Sequence, residues 1–158
     1  SGNFVHRNMT FVGKYFDGNV PERGELNEQD RGQLEMIAGL ADSVAEKLED
    51  YHFRDALGLV MEAARESNRY FDQRKPWVLR KEDMAACGTV LNVCLNTIKT
   101  LGAVMDPFLP FASEKIAEML SCEAEEMTWQ NAAQPLPEGR KLGEPVILFE
   151  KIEVEEEK

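Results

Sequence analysis

The sequence predicts an all-α fold, an antiparallel bundle of about five helices connected by short links. Apolar residues recur at spacings of three and four along most of the chain, and Pro, Gly and Asp mark the breaks between these stretches. The chain has 158 residues, of which 43% are hydrophobic, so it is long enough to bury one core. No apolar run reaches membrane-spanning length, and we expect no membrane partner.

The first helix is predicted over residues 2–16, where the apolar positions share one half of a helical wheel. Asn3 and Arg7 are four residues apart on the polar half, so their side chains point the same way. An amide and a guanidinium can both read base edges or phosphates, although an ordinary solvated face has the same pattern. Asn8 falls in the apolar arc and is expected to be a buried, hydrogen-bonded amide.

The second and third helices follow a loop that runs to about Leu26. Asn27 is a candidate N-cap, and the apolar stripe of the second helix extends to Leu48. The third helix is expected from near His52 to about Arg74. Asn68 lies near the end of its apolar stripe, where an amide could connect neighbouring helices.

The third helix should end before Pro76, because a residue that precedes proline is disfavoured in the α region. Trp77 follows at once, and six basic residues crowd this part of the chain: Arg65, Arg69, Arg74, Lys75, Arg80 and Lys81. A flat ring among cations suits a nucleobase, which stacks on the ring while the cations meet phosphate. The alternative is that Trp77 plugs the core or a hinge.

After Trp77 the chain is expected to turn, and a fourth helix is predicted over residues 83–105, with an apolar stripe that includes Cys87 and Cys94 as small core residues. A fifth helix is predicted over residues 111–120 and one further turn over 123–127, before a loop rich in Pro and Gly. Three cysteines without metal-type spacing predict reduced thiols in a cytoplasmic protein, with no disulfide and no metal site.

The net charge of −11 argues against binding of nucleic acid, but the acidic residues are unevenly distributed along the chain. Residues 22–50 carry nine acidic against three basic side chains, and residues 114–158 carry twelve against five. Residues 1–21 and 51–113, which hold the candidate contacts, each have a net charge of +1. A local RNA site is therefore compatible with the composition, but the domain alone should bind RNA weakly.

Six short segments occur in a specific order along the chain. They are Gly-Asn-Phe-Val-His-Arg at 2–7, Tyr-Phe-Asp-Gly at 15–18, Asn-Arg-Tyr at 68–70, Pro-Trp at 76–77, Met-Asp-Pro-Phe-Leu-Pro at 105–110 and Leu-Phe-Glu-Lys-Ile at 148–152. This pattern resembles the C-terminal anticodon-binding domain of methionyl-tRNA synthetase, a class I aminoacyl-tRNA synthetase. The central Asn-x-Tyr…Pro-Trp segment is shared with other class I synthetases, whereas the leading Asn-x-x-x-Arg points to methionine.

The resemblance implies that Asn3, Arg7 and Trp77 read the CAU anticodon of tRNA(Met), with Pro76 setting the position of the ring. Asn68 and Tyr70 are implied as supporting framework residues. The parent enzyme would join methionine to its tRNA, using ATP and magnesium, with zinc as a further candidate, in a catalytic half whose motifs do not occur here. No cofactor and no catalytic residue is therefore expected in this fragment.

The same resemblance implies the domain organisation. Residues 1–2 are typical of the remnant of a cleaved expression tag, and residues 3–153 would form the helical domain. Residues 146–153 would pack towards the absent catalytic domain, and residues 154–158 would be an acidic tail.

Two other functions remain open from the residues alone. The chain could be the anticodon-binding domain of a leucine, valine or cysteine type of synthetase, in which case Asn3 and Arg7 would be incidental. It could also be an acidic helical module that binds a basic protein, which explains the charge but not Trp77. A stand-alone enzyme fits least, since no nucleophile, base and orienting group form a plausible constellation.

Overall fold

The computed structural model describes residues 2–146 and residue 148, without the side chains of Gly2 and Asn3. Six α-helices and two 3₁₀ turns form this part of the chain, so the predicted all-α class is confirmed. The helices are α1 (Gly2–Tyr15), α2 (Glu28–Glu49), α3 (Phe53–Arg74), α4 (Pro76–Glu82), α5 (Met84–Met105) and α6 (Pro110–Met119). The 3₁₀ turns span Ala124–Met127 and Trp129–Asn131. None of the described helices is long and apolar enough to span a bilayer.

Helix α5 is the centre of the bundle, and the other five helices each pack against it. Every residue from Cys87 to Met105 is buried. This differs from the single apolar stripe that the spacing of Leu and Met predicted. The polar side of α5 is also covered, by the loop that follows α6 and by the loop between α1 and α2.

The C-terminal loop is held on α5 by side chains that bond to its backbone. The Oδ1 atom of Asn96 accepts a 2.7 Å hydrogen bond from the amide of Leu136. Lys99 is 2% exposed, and its Nζ atom donates to the carbonyl oxygens of Asn131 at 2.8 Å and Gln134 at 2.7 Å. Burial lowers the pKa of Lys99. Because these contacts replace the water that polar groups would otherwise require, the loop is part of the core structure.

The chain restarts as a helix directly after the break at Lys75, so the expected turn after Trp77 is wrong. Lys75 adopts a left-handed conformation with φ of 51°, and its amide donates to the carbonyl of Phe71. Pro76 then occupies the first position of α4, where a missing N–H costs nothing and the fixed φ of proline suits the helix. The principal helices match the five that were predicted, and α4 is a short sixth.

The thiols lie where the sequence placed them. Cys87 and Cys94 are fully buried in the core, and burial raises the pKa of Cys87 to about 11. The Sγ atom of Cys87 donates to the carbonyl oxygen of Pro76 at 3.4 Å.

At the C-terminal end, Leu148 packs on the core and Val146 is 40% exposed. The rest of the predicted apolar segment and the acidic tail lie outside the described residues.

A buried carboxylate joins α2 to the C-terminal end of α3. Asp30 has no exposed surface, and its Oδ1 atom accepts hydrogen bonds from the Tyr70 hydroxyl at 2.6 Å and from Nε of Arg74 at 3.0 Å. Its Oδ2 atom accepts from the amide of Asn27, which caps α2 in return. Burial, together with the bond to Asp30, raises the pKa of Tyr70 well above its ordinary value, so the hydroxyl remains a donor.

We expect Asp30→Ala to lower the free energy of unfolding by about 2–4 kcal/mol, because it leaves a buried hydroxyl and a guanidinium without their acceptor. Thermal and urea unfolding followed by circular dichroism measures this loss. Glu28→Ala is the matched control, since Glu28 is an exposed acid in the same helical turn. Equal losses in the two variants would show that the helix dipole, and not the buried junction, is responsible.

Candidate nucleic-acid interface

Trp77 is presented at the surface and is not a plug in the core. Its side chain is 42% exposed, whereas the preceding Pro76 is buried. One side of the indole rests on Phe71, with ring centroids 5.9 Å apart and an interplanar angle of 45°. Since Phe71 is only 3% exposed and packs against Phe4 at 6.4 Å, the support under Trp77 belongs to the core. Such a ring is partly immobilised while retaining accessible surface for stacking.

The side chain of Arg7, on α1, lies over the ring of the same phenylalanine. The Cζ atom of its guanidinium is 4.4 Å from the centroid of the Phe71 ring, within the range of a cation–π contact. Its Nη2 atom also bonds to the Oδ1 atom of Asp72 at 2.9 Å, and the side chain is 32% exposed. Phe71 and Asp72 thus fix the guanidinium in one orientation beside Trp77. Further N–H donors of the fork are available to a ligand.

An open groove of about 440 Å³ joins these residues to the exposed side of α1. Its lining consists of His6, Arg7, Thr10, Phe11, Lys14, Tyr15, Phe71 and Trp77. No acidic side chain belongs to this lining in the part of the chain that the structure describes. Aromatic surface and cations therefore meet in one groove of a protein whose net charge is −11, which fits the segregated charge of the sequence.

Asn3 cannot be placed with the other two predicted contacts. Its backbone belongs to α1, one turn before Arg7, but its side chain lies outside the described residues. Its role in binding stays a prediction.

The supporting residues behave differently from one another. Tyr70 connects α3 to α2 through Asp30, as a framework residue should. Asn68 is half-buried, and its Oδ1 atom has no hydrogen-bond partner among the described residues. The Asn8 amide donates to the carbonyl of Phe4 at 2.9 Å, but its Oδ1 atom is likewise without a partner there. The expected hydrogen bond is therefore present for the Nδ2 donor of Asn8, whereas the Oδ1 acceptors of Asn8 and Asn68 have none among the described residues.

Sequence reasoning missed the part that Phe71 has in the site. Phe71 belongs to the buried face of α3, and its ring also supports both Arg7 and Trp77. A signal was present in the sequence, since Phe71 is the last apolar residue before the helix break and therefore lies at an end of the bundle. The pairing of Asp72 with Arg7 was also missed, because the two residues lie on different helices.

Another cavity lies elsewhere and differs in the charge of its lining. It measures about 580 Å³ between α6 and the 3₁₀ turns, and its lining includes Asp106, Glu114 and Glu118. Carboxylates of this kind repel phosphate, so this cavity does not suit RNA. Within the described residues, no group of three or more His, Cys, Asp or Glu side chains is arranged to hold a metal ion.

The match to a known family decides between the open alternatives. A family model described as the anticodon binding domain of methionyl tRNA ligase matches residues 20–158. The chain belongs to this family. The resemblance drawn from the six segments is thereby confirmed, and the leucine, valine or cysteine type and the acidic interaction module are set aside.

Relatives and solved structures agree with this assignment. The methionine–tRNA ligase of Pyrococcus abyssi is 49% identical over 151 residues, which are 96% of this chain and 20% of that protein. The enzyme with the same name from Porphyromonas gingivalis is 41% identical over 154 residues, again 96% of this chain and 22% of that protein. The methionyl-tRNA synthetase of Mycobacterium tuberculosis bound by methionyl-adenylate superposes with a TM-score of 0.90 at 28% identity, covering 94% of this chain and 30% of that one. The chain spans about a fifth of the length of the curated relatives it matches.

Phe71→Leu should loosen Trp77 without unfolding the domain, because leucine keeps apolar volume but removes the aromatic contact, which contributes about 0.5–1.5 kcal/mol. In a Trp129→Phe background, which leaves one tryptophan, the emission of Trp77 should shift to longer wavelength and its quenching by acrylamide should increase. Phe53→Leu is the control, at the opposite end of α3, where the ring is 59% exposed. An unchanged spectrum in Phe71→Leu would contradict a supporting role for that ring.

Proposed function

We propose that this domain reads the CAU anticodon of tRNA(Met) for a methionine–tRNA ligase, with Trp77, Arg7 and Asn3 as the contacts. The observation that carries this proposal is the exposed indole of Trp77, held on Phe71 beside the Arg7 guanidinium. The anticodon is a single-stranded loop, whose unpaired bases can be recognised by stacking and by hydrogen bonds to their edges.

Trp77 would supply the stacking surface for the first anticodon base, a cytosine. One base stacked on an aromatic side chain contributes about 1–3 kcal/mol of binding free energy. The ring needs little reordering when RNA arrives, because Phe71 already holds one side of it. Preorganisation of this kind reduces the entropy lost on binding.

Arg7 and Asn3 would supply the hydrogen bonds that distinguish bases. The Arg7 guanidinium offers a planar set of donors, and its bond to Asp72 limits the directions in which the remaining donors can point. Asn3 would add an amide that both donates and accepts, one helical turn away. Stacking accepts any base, so discrimination should depend on these two polar side chains.

The reaction itself would take place in another part of the parent protein. That enzyme would activate methionine with ATP and magnesium and transfer it to the tRNA in the cytoplasm. The His-x-Gly-His and Lys-Met-Ser-Lys-Ser types of motif that bind the nucleotide in this class do not occur in these 158 residues. We therefore assign anticodon recognition, and no catalytic step, to this chain.

The isolated chain should show no methionine-dependent exchange of pyrophosphate into ATP, because it lacks the nucleotide-binding motifs. Radiolabelled pyrophosphate exchange measures this directly, with a complete methionine–tRNA ligase as the positive control. Exchange by a homogeneous sample would mean that catalytic residues have been overlooked in this chain.

Trp77→Ala should weaken binding of a CAU stem-loop by about 1–3 kcal/mol, the value of one base–aromatic stack. Trp77→Phe keeps a smaller aromatic surface and should retain part of the affinity. Fluorescence anisotropy of a labelled stem-loop measures both variants without interference from tryptophan emission. Phe111→Ala is the matched control, because Phe111 is a 78% exposed aromatic residue on α6, outside the groove.

The same titrations with a stem-loop of altered anticodon separate recognition from folding. If Arg7 contacts a base edge, Arg7→Ala should weaken the CAU loop more than the altered loop. A Trp77→Ala protein that melts at a lower temperature but still binds and discriminates normally would show that Trp77 is structural, and the proposal for it would fail.

A further inference from the structure

A second cluster of an aromatic ring and cations lies at the end of α1, where Lys14 and Tyr15 line the same groove and Arg80 lies beside it. The Cζ atom of Arg80 is 4.3 Å from the centroid of the Tyr15 ring, and the Nζ atom of Lys14 is 5.3 Å from it. Tyr15 also packs on Phe11, with ring centroids 4.8 Å apart. Tyr15 is the last residue of α1, whereas Arg80 belongs to α4, so the contact joins two helices.

The break before Pro76 places Arg80 in this position. Trp77 and Arg80 are three residues apart in α4 and therefore lie on one side of that short helix. Both side chains point towards α1, where Trp77 and Tyr15 line one groove. Tyr15 is eight residues beyond Arg7, or about 12 Å along α1, so the two clusters can make separate contacts.

Arg80 and Lys14, like Lys75 and Lys81, have no carboxylate partner among the described residues. Neighbouring arginines are paired with acids. These pairs are Arg7–Asp72, Arg65–Glu62, Arg69–Glu66 and Arg74–Asp30. Tyr15 therefore holds two cations whose charge remains available to a ligand.

We propose that Arg80, Lys14 and Tyr15 form a phosphate-binding subsite for the RNA backbone, next to the nucleotide that stacks on Trp77. A guanidinium in cation–π contact with a tyrosine ring retains N–H donors for a ligand, and its planar fork matches two oxygens of a phosphate. Lys14 adds a second positive charge on the same ring. The subsite rests on the proposed function only in taking its phosphate from an RNA loop.

This subsite gives the groove two kinds of contact with different consequences. The residues around Trp77 should set which loop is preferred, since they meet bases. The subsite should contribute equally to every loop sequence, since phosphates carry no sequence information. It also offers a way for a strongly acidic domain to hold RNA, by concentrating unpaired positive charge at one place.

Arg80→Gln tests the subsite in this chain, with a labelled CAU stem-loop and an altered-anticodon stem-loop titrated across a salt series of about 50–200 mM. We expect binding of both loops to weaken roughly three- to tenfold at low salt, by a common factor. The slope of log Kd against log salt should fall by about 0.7, the value for one phosphate contact to a single strand. Arg80→Lys should keep the salt slope, because it keeps the charge.

Two matched variants complete the design. Arg54→Gln removes the same charge from an exposed position in the first turn of α3, at the far end of a helix about 30 Å long, and should leave the slope unchanged. Tyr15→Leu removes the aromatic ring that holds Arg80 and Lys14 and should weaken binding of both loops by a common factor. Melting temperatures of all variants show whether the contact between α1 and α4 has been lost.

An Arg80→Gln protein with wild-type affinity and slope, whether or not it is less stable, would overturn the subsite. A loss confined to the CAU loop would also overturn it, because that would be base recognition. If the wild-type chain fails to distinguish the two loops while Arg80→Gln still lowers the slope, the anticodon proposal fails and the phosphate subsite stands.

Discussion

The forced break at Lys75 and Pro76 is the constraint on which the candidate site depends. Proline supplies no amide to continue α3, and Lys75 turns the chain through a left-handed conformation at φ of 51°. Because Pro76 is also a favourable first residue, a new helix begins at once in another direction. That helix carries Trp77 to the groove and Arg80 to Tyr15 at the end of α1, so one backbone feature positions both side chains.

The other components keep this junction rigid. Phe71 extends the core to the surface and contacts Arg7 and Trp77. One residue earlier in the chain, Tyr70 ties α3 to the buried carboxylate of Asp30. The end of α3 is thus fixed on one side by a polar network and on the other by aromatic packing. Rigid elements of this kind hold recognition side chains more precisely than a loop would.

Periodicity and helix-breaking residues were sufficient to predict the five principal helices, and the sequence showed the cations around Trp77, but the residues alone left open whether its ring is exposed. Helix α4 was missed because seven residues are too few to show an apolar period, and proline was taken only as an end. The burial of every residue from Cys87 to Met105 was missed because it depends partly on the C-terminal loop, whose many prolines and glycines give no sign of packing. The roles of Phe71 and Asp30 depend on contacts across helices, which a helical wheel does not contain.

The hydrogen bonds between α5 and the C-terminal loop have a consequence for how this protein can be divided. The last α-helix of the described residues ends at Met119, yet Asn96 and Lys99 still bond to the backbone of residues 131–136. A fragment trimmed at the end of the last helix would expose a buried ammonium and an amide to a surface that has lost its covering. A domain boundary should therefore be placed beyond residues 131–136, although this segment follows the last helix. The hydrogen bonds to α5, and not the end of a helix, decide where the chain can be cut.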